Sequence, residues 1–229
     1  MRSREIVSIV AAGTMSAGPV LLVSVALGFG LALLIGLYAF GEVSGGHYNP
    51  AVSLAMFLDK RLPAGDLIGY WIAQVAGALL ASLVVLIAWD SDTVAGTITG
   101  NDDTWPAFVV EVVLTALFLA VILQVTRSTT YGRSALTTIP LALVGIHVAA
   151  IPISGASVNP ARSLGPAIIG TEFDDIWLYI VAPLLGGDPF AEDPAKLRTL
   201  VEFCDVVAKD PDGVVAFCFL RKRTTGERF

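Results

Sequence analysis

The chain has 229 residues, of which 55% are hydrophobic and only 15% charged, and its mean hydropathy is +0.76. Soluble domains carry about 25% charged residues, so this composition argues against a soluble enzyme and for an integral protein of the lipid bilayer. The net charge of −6 argues against nucleic acid as a partner. Cys204 and Cys218 have no neighbouring ligands, so they make neither a metal site nor a disulfide framework, and nothing in the chain calls for a cofactor.

Stretches of about 20 apolar residues are expected to span a bilayer. In chain order, Ile6 to Ala12 is apolar but too short, and Gly13 and a Gly18-Pro19 turn follow it. Leu21 to Phe40 is a full span. Asn49 to Leu58 is half a span and opens with Asn-Pro-Ala. Leu67 to Trp89 is the next full span, and an acidic loop from Asp90 to Thr104 follows it without a Lys or Arg. Phe108 to Val125 and Leu136 to Ile153 are the remaining spans. Asn159 to Ile169 is again half a span opening with Asn-Pro-Ala, and Ile176 to Leu185 is a short final one. Residues 187 to 229 form a polar tail that holds 15 of the 34 charges. Its Pro194 to Lys209 has the spacing of one apolar helix face, and Val214 to Leu220 reads as a strand. The tail is expected to be a cytosolic appendage, a fusion or the product of a shifted reading frame.

The two half-spans belong to a repeat. SGGHYNPAVSLA at 44 to 55 returns as SGASVNPARSLG at 154 to 165, which aligns Asn49 with Asn159. Asn is a favoured helix N-cap and Pro a favoured first helical residue, so each box should start a short helix. A half-length helix among spanning helices implies a re-entrant segment that lines a cavity. Arg2, Arg4, Lys60, Arg61, Arg127 and Arg133 lie at the N-terminus and in two loops, which the positive-inside rule puts in the cytoplasm. The boxes then enter from opposite faces. The chain is expected to be an inverted repeat, with its functional site near the midplane.

With two Asn-Pro-Ala boxes in inverted halves, residues 13 to 186 resemble the major intrinsic protein family, the aquaporins and glycerol facilitators. The resemblance implies an all-α membrane fold of six tilted helices with two re-entrant half-helices that meet at the pore centre, assembled as a homotetramer. Asn49, Pro50, Ala51, Asn159, Pro160 and Ala161 are then the pore boxes. Counting from them, Phe29, His147, Ala156 and Arg162 take the four positions of the selectivity constriction. Glu111 is read as scaffold for the second box, and His47 as a brace of the first. Taken singly, each has a plainer reading: Phe29 as packing, His147 as an interhelical hydrogen bonder, Arg162 as a snorkelling cation, Glu111 as a helix-start carboxylate.

Phe29, His147 and Arg162 match the water-selective pattern, and Ala156 departs from the usual Thr or Cys. The first and last helices depart as well, both being short, and the family's first-helix Glu is not recognisable. The expected function is a passive water channel of the inner or plasma membrane that excludes protons and ions, with both termini cytoplasmic. Two alternatives stand beside it: a facilitator of glycerol or other small neutral solutes, and a non-conducting membrane protein. The expected domain division is 1–186 for the channel and 187–229 for the tail.

Overall fold

The computed structural model describes residues 19–95, 97, 104–130 and 132–187. The first apolar stretch, Ile6 to Ala12, and everything from residue 188 onward lie outside the described residues. Every regular element described is helical. They are α1 (Pro19–Ser44), α2 (Pro50–Leu58), α3 (Ala64–Ala88), α4 (Ser91–Ala95), α5 (Thr104–Arg127), a 3₁₀ turn (Gly132–Ser134), α6 (Ala135–Ser154), α7 (Pro160–Gly170) and α8 (Ile176–Gly187). Helices α1, α3, α5 and α6 are long and apolar enough to cross a membrane.

These bounds agree with the sequence-derived spans to within a few residues, Asn49, Trp89 and Asn159 being helix caps, with informative differences. Pro19 is not part of a turn but the first residue of α1, where its missing N–H costs nothing. Helix α1 also continues past Phe40 to Ser44, whose hydroxyl donates back to the Phe40 carbonyl. Helix α4 lies within what reads as a loop, because the Asp90 carboxylate accepts from the Thr93 N–H at 2.8 Å and turns the chain. Helix α8 has 12 residues, about 18 Å of helix against a hydrocarbon core of about 30 Å.

The inverted repeat is visible as paired local geometry in the register that aligns the two boxes. Gly45 and Gly155, Gly46 and Ala156, and Tyr48 and Val158 all have positive φ. The Gly46 N–H bonds the Ser44 hydroxyl as the Ala156 N–H bonds that of Ser154. Tyr70 donates to the Ser44 carbonyl as Tyr179 donates to that of Ser154. One motif therefore folds twice, with the same cap, bend and tyrosine strut.

Packing sorts the helices. Half of the apolar window of α5 is buried, against 6% for α3, so α5 is interior and α3 presents most of its surface outward. The most extensive helix contacts are α1 with α6, α5 with α8 and α3 with α7. Two of these crossings need glycine. A Cβ on Gly165 of α7 would lie 2.7 Å from the Ala78 backbone carbonyl of α3. A Cβ on Gly186 of α8 would lie 2.7 Å from the Val112 carbonyl of α5. Neither neighbour is a side-chain tip that can swing aside. Overpacking of this kind costs about 1–3 kcal/mol. Gly165→Ala and Gly186→Ala are each expected to melt below the parent in detergent, and parental melting in both would show that these crossings have room to spare.

Candidate pore

The two half-helices meet end to end. Asn49 caps α2 through the Ala51 N–H, and Asn159 caps α7 through the N–H groups of Ala161 and Arg162. Both Asn residues have extended backbones, as N-caps require. Each cap also reaches across to the other. The Asn49 side-chain amide donates to the Val158 carbonyl at 2.7 Å, and that of Asn159 donates to the Tyr48 carbonyl at 3.0 Å. A primary amide has two N–H groups. One of each pair is therefore committed to the facing loop, and the second is available to the cavity that both Asn residues line.

That cavity is about 100 Å³ and runs along both boxes. A water needs about 10–15 Å³ of such space, so the cavity has room for several. Phe29, His147 and Arg162 converge at one end. The Phe29 and His147 rings stack with centroids 4.3 Å apart, and the Arg162 guanidinium carbon sits 5.3 Å from the Phe29 centroid. Each is held. His147 is almost wholly buried, and its Nδ1–H donates to the Leu143 carbonyl at 2.9 Å. That bond leaves Nε2 without a protein partner among the described residues, as an acceptor for a passing donor. Arg162 donates from Nη1 to the Thr97 carbonyl at 2.9 Å.

Pro50, Ala51, Pro160 and Ala161 are buried at the starts of α2 and α7 and do not line the cavity. Ala156 does not line it either. It is fully buried with φ +56, and the structure does not bring its side chain to the other three constriction positions.

Glu111 on α5 is fully buried and takes three donors. One oxygen accepts from the Ser157 N–H at 2.8 Å and the Ser154 hydroxyl at 2.7 Å, and the other accepts from the Val158 N–H at 2.7 Å. These bonds fix the loop that presents the Val158 carbonyl to Asn49. In the other half, His47 lines the cavity and its Nδ1 is 3.1 Å from the Ser53 hydroxyl, which also accepts from Gln74 at 2.9 Å. The equivalent contact in the second half is Ser157 to Ser163, at 2.6 Å.

A family model for major intrinsic proteins matches residues 5–189. The chain belongs to the major intrinsic protein family. It is 43% identical over 172 residues to the glycerol uptake facilitator protein-like 6 of Lactiplantibacillus plantarum, covering 71% of this chain and 79% of that one. It is 40% identical over 194 residues to aquaporin Z of Bradyrhizobium diazoefficiens, covering 79% and 80%. The fold matches the X-ray structure of the aquaglyceroporin from Plasmodium falciparum with a TM-score of 0.71, over 86% of this chain and 93% of that one, at 22% identity. This major intrinsic protein is thus a multi-pass membrane channel.

Several residues of the site carry no local sequence signal. The Thr97 carbonyl that holds Arg162 comes from a loop distant in the chain, and any residue there would offer the same carbonyl. Gln74 and Ser53 are ordinary polar residues until α3 lies against α2. The tyrosine struts could have been found from the repeat, because Tyr70 and Tyr179 stand at nearly the same distance from their boxes.

Glu111→Gln tests the carboxylate. A glutamine keeps one acceptor oxygen and sets an NH₂ against a backbone donor, and a buried donor left unpaired costs about 1–3 kcal/mol. The variant is expected to melt lower in detergent and to give less water permeability per protein, with a greater loss in Glu111→Ala. Parental values for both variants would remove Glu111 from the scaffold.

Proposed function

We propose that this channel conducts water passively, in both directions, and excludes protons and ions. The observation that carries the reading is the convergence of Phe29, His147 and Arg162 on one end of the cavity. A phenyl face, an imidazole acceptor and a guanidinium leave a small polar opening that matches one water better than a polyol. At the centre, two helix N-termini face each other, each carrying about half a positive charge. The free amide hydrogens of Asn49 and Asn159 hold one water oxygen, so its own hydrogens point away along the pore. Field and orientation together break a proton wire, the exclusion already recognised in aquaporin-type pores.

The proposal includes the inner or plasma membrane as location, both termini on the cytoplasmic side and a homotetramer as the assembled form. Exposed apolar residues on α1 and α3, among them Ile35, Ile72, Val84 and Ile87, offer surface to lipid or to a neighbouring copy.

A second reading is facilitation of glycerol or a similar small neutral solute. Two observations favour it: a relative 43% identical bears the name of a glycerol uptake facilitator, and the small Ala156 stands back from the lumen.

Stopped-flow light scattering on proteoliposomes separates the readings. An impermeant osmolyte is expected to shrink the parent vesicles fast, and a glycerol gradient to give slow re-swelling. Phe29→Ala combined with His147→Gly is expected to raise glycerol flux while water flux persists. Fast glycerol re-swelling by the parent would favour the second reading, and a double variant no more permeable to glycerol than the parent would remove these side chains from the constriction.

A further inference from the structure

The paired geometry makes each half a template for the other. The outer constriction is built by positions 29, 147 and 162, with the fully buried Ala156 behind them. In the register that aligns Asn49 with Asn159, their counterparts are Ile139, Leu37, Val52 and Gly46. All four line the same cavity, beyond the Asn49 and Asn159 pair from the Phe29 end. The two-fold therefore sets four residues on equivalent backbone sites along the cavity wall, and all four are apolar.

The width there turns on one missing methyl. Gly46 has φ +65, and a Cβ built on it would lie 2.5 Å from Cδ2 of Leu37. Leu37 is 6% exposed and packed into the core on its other sides. A methyl on Gly46 would displace the leucine tip, and Leu37 lines the lumen. The positive φ alone does not demand glycine here. Ala156, its counterpart, holds an alanine at φ +56 in the same bend.

We propose that Leu37, Val52 and Ile139 form a second, apolar constriction of this channel, and that Gly46 sets its aperture by leaving room for Leu37. These side chains offer water no hydrogen bond. Passage then depends steeply on diameter, because a hydrophobic constriction that narrows slightly expels its water. The outer constriction selects by hydrogen bonding and charge, and the apolar one by width alone. Leu37 and Gly46 are thus specificity-determining residues for the conduction proposed above, and the inference rests on that reading.

The test is water permeability per reconstituted protein in proteoliposomes, with melting in detergent measured on every variant. Gly46→Ala is expected to lower permeability several-fold. Leu37→Phe, which adds bulk on the lumen side and leaves the backbone alone, is expected to do the same. Gly46→Ala combined with Leu37→Ala is expected to return to the parental value, since the displaced leucine is gone. Parental permeability in Gly46→Ala, or a double variant as slow as the single one, overturns the proposal. If Gly46→Ala melts far below the parent, Leu37→Phe decides, and parental flux in it has the same force. A parent that passes no water overturns the channel reading and this inference together, whereas a conducting parent with unaffected variants overturns the constriction alone.

Discussion

Two helix N-termini cannot be left facing each other without a tie. Each carries partial positive charge and unpaired N–H groups, so the ends of α2 and α7 repel and both need acceptors. The reciprocal bonds from Asn49 to the Val158 carbonyl and from Asn159 to the Tyr48 carbonyl supply the tie. They also set a backbone requirement. Tyr48 and Val158 sit at φ +50 and +43, a region that a β-branched valine avoids at roughly 1–2 kcal/mol. Their carbonyls reach the opposite loop from that conformation. The strain is local, and the cross-bonds and the Glu111 carboxylate hold it in place.

The two halves hold this arrangement in different ways. In the second half, a buried carboxylate gathers two backbone N–H groups and a serine hydroxyl. In the first half, the described residues include a side-chain cluster of His47, Ser53 and Gln74, and Trp71 donates to the Pro50 carbonyl at 3.1 Å. Below α2, Asp59 takes an ion pair from Arg61 at 2.6 Å and bonds Arg127, which ties the end of this half-helix to the end of α5. Among the described residues, the two halves thus share their backbone geometry and differ in the side chains that support it. Backbone φ and capping are set within one short motif, whereas supporting side chains come from other helices.

The same division runs through the pore. Equivalent backbone sites carry an aromatic ring, an imidazole and a guanidinium at one end and aliphatic side chains at the other. The walls are symmetric in geometry and asymmetric in polarity. In the proposed path, a solute meets a ring, an imidazole and a guanidinium at one end, amide donors at the centre and aliphatic side chains at the other end.

The sequence by itself determined the spans, the half-spans, the repeat and the caps. Each of these depends on residues close together in the chain: apolar runs of bilayer length, and an Asn-Pro start that both caps and initiates a helix. The resemblance to the family that the Asn-Pro-Ala boxes carry also named Phe29, His147 and Arg162, by their spacing from the boxes, and Glu111 as scaffold. Ala156 was read as the fourth wall, and in the structure it is fully buried and does not line the cavity. Only the tertiary structure decided who holds whom: Arg162 by the Thr97 carbonyl, Asn49 by that of Val158, Leu37 against Gly46. Backbone carbonyls have no sequence identity, and a gap left by a missing methyl exists only once another helix has packed beside it.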